Sequence, residues 1–218
     1  MKKKGLNTIL LSILGLLLVS QLYVYSQTTN TNRMTSQRVT TGEVSSANDF
    51  KQTLRNLFEE HALLLNQAIV SAANNAPQNI IEAGKQNLFN NSRQLANLIS
   101  TKTSPQSGHQ FETLFNEHIR LGSEYINAVK ANNQALAQQV ANQALSNGRM
   151  IAQFFSRLYP ATPARTWQEM LDHHVEIEAE QTKAYFKKDL QQATALKNES
   201  VVQIKELADL IANNAEQR

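Results

Sequence analysis

Cysteine is absent from the 218 residues, and glycine, proline and aromatic residues are scarce. Without cysteine the chain has no disulfide, no thiolate metal site, no cysteine nucleophile and no lipidated cysteine anchor. The seven glycines form no Gly-rich phosphate loop, which excludes the common nucleotide-binding motifs. Ala, Leu, Gln and Asn are abundant and β-branched runs are few, a composition that favours helix over sheet. These features predict an all-α protein stabilised by packing alone.

Charge of one sign is also lacking. The net charge is only +3, and part of it comes from Lys2, Lys3 and Lys4 at the N-terminus. No basic stripe interleaved with aromatic residues remains in the rest of the chain. We therefore predict no nucleic-acid partner, and the sequence leaves the actual partner unknown.

Residues 1–26 have the pattern of an export signal. A basic start precedes an apolar run from Ile9 to Val24, and Val24 and Ser26 suit the −3 and −1 positions of a signal-peptidase site. The pattern favours cleavage before Gln27, but a run of this length is also near the lower limit for a membrane anchor. In either case we predict an exported protein, extracellular or associated with the cell envelope, that contacts a membrane only through this segment if it is retained.

Residues 27–47 are rich in Thr, Ser and Asn and show no helical period, so we interpret them as a flexible spacer. Residues 48–218 contain three copies of one pattern. The segment LFEEH ending at His61 returns as LFNEH ending at His118 and, more loosely, as MLDHH ending at His174. From His61 to His118 is 57 residues, and from His118 to His174 is 56. The copies run over about 48–104, 105–160 and 161–218.

Each copy is predicted to be an antiparallel helical hairpin. Apolar residues at i, i+3, i+4 and i+7 predict an amphipathic first helix that carries its histidine on the buried face. Turns at 73–78, 131–134 and 187–192 offer Asn or Asp for the left-handed conformation, and second helices follow over about 78–100, 134–158 and 190–214. The predicted fold is six helices as three hairpins, either closed into one bundle or stacked in a short α–α array.

Local signals complete this outline. Ser107 with Gln110 suggests a capping box, and Thr162 before Pro163 suggests a cap followed by a first-turn proline. Trp167 is expected to anchor the core, His109 to lie in a loop and His173 to be exposed.

An amide lies at the level of each histidine in the predicted hairpins: Asn91 for His61, Asn147 for His118 and Gln203 for His174. One interpretation is a buried polar layer in which each amide partners an imidazole and fixes the register of the helices. The alternative is a small-ligand or metal site, because histidine is the commonest metal ligand.

In the alternative, His61, His118 and His174 are the candidate metal ligands, joined by Glu178. Glu178 follows His174 by four residues and therefore shares its helix face. The first and second copies have Leu65 and Gly122 at the corresponding place, so three identical ligand sets are not expected. The cofactor of such a site is a transition metal.

The segments LFEEHALLLNQAIV, LFNEHIRLGSEYINAVKANN and ARTWQEMLDHHVEIEAEQTKAYFKKD resemble a family of small exported all-helical proteins of Gram-positive bacteria, over about residues 50–214. Many of these proteins are labelled acetylglutamate kinase. The resemblance implies repeated acidic-His motifs and no established activity. The kinase label contradicts the composition, because such a kinase needs an α/β fold and Gly-rich phosphate loops. A weaker likeness, limited to EHALLL, is to ferritin-like bundles, whose helices can bind metal.

Three functions follow as hypotheses. The leading one is a non-enzymatic extracytoplasmic helical protein with a binding or structural role in the envelope. The second is a bundle that binds a metal or a small ligand through the repeated histidines. The third is a metal-dependent hydrolase or redox enzyme. A serine nucleophile finds no support, because no serine has a histidine at motif spacing.

Overall fold

The computed structural model describes residues 47–217, and in this part of the chain the protein is all-helical with no strand. Six helices follow one another: α1 Ala47–Ala73, α2 Gln78–Lys102, α3 Pro105–Lys130, α4 Gln134–Leu158, α5 Ala164–Phe186 and α6 Leu190–Ala215. The prediction of six helices packed in a bundle is confirmed. The export signal and most of the spacer lie outside the described residues. No helix of the described part is long and apolar enough to cross a bilayer.

The turns that join α1 to α2, α3 to α4 and α5 to α6 each contain one residue with positive φ. Asn75 and Asn132, with φ of 53° and 52°, take this conformation as expected. In the third turn it is Lys188, with φ of 64°, and not Asp189. Asp189 instead caps α6, since its carboxylate accepts a hydrogen bond from the backbone N–H of Gln192 at 3.0 Å. The prediction that Asn or Asp fills the left-handed position is therefore wrong for this turn.

Two expected helix starts are also displaced, that of α3 by three residues and that of α5 by one. Ser104, not Ser107, caps α3, because its hydroxyl accepts from the N–H of Ser107 at 3.1 Å. His109 consequently lies in α3, exposed, and not in a loop. Pro163 precedes α5 with ψ of 137°, an extended value, so it ends the connection instead of opening the helix. The hydroxyl of Thr162 donates to Asn214 at 3.0 Å and does not cap α5.

Every helix packs against the next one in the chain, and α6 packs against α1, so the six helices form a closed ring of neighbours. Short connections make neighbouring helices antiparallel. In addition, α1, α3 and α5 contact one another. These three helices carry the three histidines, and their mutual contact brings together side chains that are more than fifty residues apart in sequence.

One large apolar core fills the middle of the bundle. Trp167 is fully buried, and its ring stacks on Phe155 at a centroid distance of 5.2 Å, which confirms it as a core anchor. A second, smaller cluster surrounds Tyr125, Val140 and Val175.

Candidate metal centre

His61 of α1, His118 of α3 and Glu178 of α5 place ligand atoms within 4.8 Å of one another. The two histidines are 2% and 5% exposed, and the Glu178 side chain is 12% exposed. A metal ion with bonds of about 2.1 Å spaces its ligand atoms roughly 3 to 4 Å apart, so small side-chain shifts would bring these three atoms onto one ion. The buried group could therefore hold a metal ion.

The rings of the three repeated histidines lie close together, with His118 near both of the others. The ring centroids of His61 and His118 are 6.3 Å apart, and those of His118 and His174 are 5.9 Å apart. Phe115, one turn before His118 on α3, contacts both of the first two rings, at 4.6 Å from His61 and 5.7 Å from His118. All three rings are buried, as the helical period predicts.

Glu178 joins two of these rings. Its Oε2 atom lies 3.2 Å from Nε2 of His118, and its Oε1 atom lies 3.0 Å from Nε2 of His174. The second contact is close, yet neither atom has a hydrogen-bond partner of acceptable angle among the described residues. His174 itself is not in the group whose ligand atoms are mutually close; it reaches the cluster through Glu178.

The repeated amides bind the backbone in the same way in all three places. Asn91, Asn147 and Gln203 donate to the carbonyls of Leu57, Leu114 and Met170 at 2.9, 3.0 and 2.9 Å. Each carbonyl belongs to the residue four positions before the histidine. The amide and its histidine therefore share one level of the bundle, as the sequence predicts.

The predicted amide–imidazole hydrogen bond forms in only one of the three places. Oε1 of Gln203 lies 2.9 Å from Nδ1 of His174, whereas Nδ1 of His61 and of His118 has no hydrogen-bond partner in the described part of the chain. Oδ1 of Asn91 and of Asn147 is likewise unpartnered among the residues described. Asn91 is still near enough to raise the pKa of His61 slightly, against a larger lowering by burial. Glutamine is one methylene longer than asparagine and reaches its ring, which explains the difference.

The Gln203 bond also assigns a tautomer. Because the Gln203 NH₂ group donates to Met170, its oxygen faces His174 and must accept from Nδ1–H. The proton of His174 therefore stands on Nδ1, and Nε2 faces Glu178. An outer hydrogen bond of this kind is the usual means of orienting a histidine at a metal site.

Burial and charge put the cluster in a state suited to metal. Burial lowers the pKa of the His61 ring to about 3, so the ring is neutral at neutral pH. Burial raises the pKa of Glu178, but the charges of His174 and His118 and the close contacts with both rings together outweigh it and hold that pKa well below the usual range. For His174, burial lowers the pKa, but the Glu178 charge and the polar contacts with Glu178 and Gln203 together outweigh it and raise the pKa. A neutral imidazole and an ionised carboxylate are the forms that bind metals.

Two small cavities adjoin the cluster. One of about 10 Å³ is lined by His61, His118 and Glu178, and a second of about 30 Å³ begins at His118, Gly122 and Glu178. A Cβ atom built on Gly122 would meet no atom within 4 Å. The sequence shows Gly122 only as the place where a second carboxylate is missing. A glycine inside a helix costs about 1 kcal/mol relative to alanine, and that cost is the signal that could have singled it out.

The other charged residues near the motif lie outside the site. Glu117 pairs with Arg120 on the surface, and His173 is half-exposed and lies 3.4 Å from Glu199. Glu60 accepts from the Asn91 amide at 3.1 Å and does not appear in the ligand group. The acidic residue next to the histidine is thus no part of the cluster, whereas Glu178 is.

The fold and the site define a class: an all-helical bundle with a buried His/Glu group that could hold a metal ion. No protein-family model matches the chain, and neither a curated protein nor a solved structure matches it.

Proposed function

We propose that this chain is an exported, non-enzymatic helical protein that binds a divalent transition metal through His61, His118 and Glu178. The observation that carries the proposal is the convergence of their three ligand atoms, within 4.8 Å, at a buried point of the bundle. His174 serves as the partner of Glu178, and Gln203 orients His174 in turn.

The surroundings of Glu178 support a metal over a purely structural role. A buried carboxylate is costly unless a cation compensates it. No Lys or Arg forms an ion pair with Glu178 among the described residues; its neighbours are the imidazoles of His118 and His174. Without a metal, only imidazole charge compensates the carboxylate, and His118 must be neutral to bind an ion; the metal ion then supplies the positive charge. Two imidazoles and one carboxylate form a donor set that suits Zn²⁺ and Fe²⁺.

The second candidate is a polar layer that fixes helix register and holds nothing else. The three amide–carbonyl hydrogen bonds at equivalent levels favour it, since they tie α1 to α2, α3 to α4 and α5 to α6. The same bonds also support the proposal that the bundle is three copies of one hairpin. The export and envelope location rests on the N-terminal pattern alone.

The proposal is tested by metal analysis of the full chain made without a polyhistidine tag. After removal of metal with a chelator, equilibrium dialysis against Zn²⁺ or Fe²⁺ should load one ion per chain. His118→Ala should lose this binding, whereas His173→Ala, which removes an exposed histidine on α5, should keep it.

Two outcomes would overturn the proposal. One is a chain that binds neither metal above the level of the His118→Ala variant. The other is a His118→Ala variant that still binds one ion per chain and only unfolds more easily, which is what the polar-layer candidate predicts.

A further inference from the structure

We propose that the metal bound by His61, His118 and Glu178 keeps an open coordination position, and that a small inorganic anion of two or three heavy atoms binds there through the cavity at Gly122. This inference rests on the proposed metal site and adds a ligand to it. It is carried by the ligand count and by the space beside the cluster.

The ligand count leaves the position free. Three protein ligands on a metal of this type leave at least one place for water or an exogenous ligand, as in catalytic zinc sites. His174 does not fill the place, because it lies against Glu178 and outside the group of mutually close ligand atoms. Its Nδ1 is also tied to Gln203.

The space lies on the Gly122 side. Gly122 lines the cavity of about 10 Å³ that contains the three ligands and also the adjoining cavity of about 30 Å³. It follows His118 by one turn of α3, so any larger side chain there would project beside the His118 ring. Since an added Cβ meets nothing within 4 Å, the glycine leaves a gap that packing has not filled.

An open cleft adjoins this gap. The cavity of about 30 Å³, the inner cavity, shares four wall residues with an open cleft of about 760 Å³ between α3, α4 and α5. These residues are Tyr125, Ala141, Val175 and Ala179. The cleft therefore shares walls with the inner cavity, and the inner cavity in turn is lined by two of the metal ligands, His118 and Glu178. We place the path of the anion through these shared walls, from the cleft to the metal.

Size and charge define the ligand class. The inner cavity of about 30 Å³ has room for a few heavy atoms, since about 10–15 Å³ of such volume holds one water. A divalent ion with one carboxylate and neutral imidazoles retains one positive charge, which favours an anion over a cation in a site of low dielectric. The apolar lining, Leu65, Ile126, Ala144 and Val175, excludes larger hydrated ions.

The test uses the full chain loaded with Co²⁺, whose visible absorption reports its coordination, and azide as the probe. Azide should shift the spectrum in a saturable way that fits one site. Gly122→Val should keep one Co²⁺ per chain and weaken azide binding at least about tenfold. Gly84→Val is the matched control, because Gly84 lies in α2 with equally open space around its Cβ, and it should bind azide like the wild type.

The outcomes separate this inference from the metal site itself. If Co²⁺ binds and azide leaves its spectrum unchanged, the open position is wrong while the metal site stands. If Co²⁺ does not bind to the wild-type chain, both proposals fail. If Gly122→Val loses Co²⁺, Gly122→Ala adds a single methyl group to the gap and should still weaken azide binding; azide affinity equal to that of the wild type in this variant would overturn the route.

Discussion

Replacing Glu178 with glutamine separates metal binding from packing. The amide has nearly the same shape as the carboxylate, but it carries no charge and presents an NH₂ group in place of one oxygen. One of the rings that faces Glu178, His118 at 3.2 Å or His174 at 3.0 Å, would then meet a donor instead of an acceptor. Loss of an outer-shell partner typically weakens a metal site 10–100-fold. Loss of a charged ligand that binds the metal directly should weaken the affinity further, so we expect metal affinity to fall by more than about 100-fold.

This loss translates into a thermal shift. At a Zn²⁺ concentration of about 1,000 times the wild-type Kd, binding stabilises the folded protein by about 4 kcal/mol. For a domain of this size each kcal/mol raises Tm by about 2–4 °C, so the wild type should gain roughly 8–16 °C. At the same concentration a variant with 100-fold weaker binding gains only about 1.4 kcal/mol, or roughly 3–6 °C.

Differential scanning calorimetry with and without Zn²⁺ measures both shifts. The control is Glu180→Gln, which makes the same chemical change on α5 at a side chain that is 52% exposed and paired with Lys183. It should keep the wild-type shift. Equal shifts in the wild type and in Glu178→Gln would refute the role of this carboxylate, and no shift in the wild type would refute the site.

Three further changes test the architecture around the site. Metal-free protein should lose stability as the pH falls from 6.5 toward 3, because the unfolded His61 ring takes up a proton near 6.5 while the folded ring stays neutral until about 3. The span corresponds to at most about 5 kcal/mol, and urea midpoints measured against pH should show a flatter dependence in His61→Gln; an equal slope in both proteins would contradict the assignment. Gly108→Ala should lower the free energy of unfolding in urea by about 1–3 kcal/mol, since its Cβ would lie 2.7 Å from a carbonyl oxygen of α2. Gly84→Ala has open space around its Cβ and should raise the free energy of unfolding by up to about 1 kcal/mol. A gain in both variants would show that the close approach is relieved without cost. Asn147→Ala should lower the free energy of unfolding by about 1–3 kcal/mol, because it leaves the carbonyl that its amide binds without a partner. Gln203→Ala should lower it more, because it removes two hydrogen bonds. Urea unfolding of both variants checks the order, and the reverse order would count against the His174–Gln203 bond.

The helical part of the fold could be predicted because helical periodicity is a local property. The spacing of apolar residues places His61, His118 and His174 on buried faces, and all three are buried. The second helices begin at the residues expected and end within two residues of them. The errors fall at helix ends, where several neighbouring residues could form the cap. Ser104 and Ser107 could each cap the start of α3, and only the path of the connection decides between them.

The level of each amide relative to its histidine also followed from the sequence, because equal distances from a turn mean equal heights in an antiparallel pair. Whether an amide reaches its ring depends on side-chain length and packing. Gln203 reaches His174, whereas the amides of Asn91 and Asn147 donate to the carbonyl of the facing helix and their oxygens bind no ring. One methylene group therefore decides whether the amide oxygen binds its imidazole, as in Gln203, or whether the amide oxygen and the imidazole both stay without a hydrogen bond, as in the other two hairpins.

By itself the sequence determined the helices, their buried faces and the candidate ligands, since each depends on residues within one or two turns of one another. Only the tertiary structure decided which candidates meet. The mutual contact of α1, α3 and α5 brings His61 and His118 to Glu178 and leaves His174 behind that carboxylate. It also places Gly122 beside the cluster, where the absence of a side chain leaves a gap. The contacts among His61, His118 and Glu178 join residues more than fifty positions apart, and they depend on how whole helices pack, which no local pattern specifies.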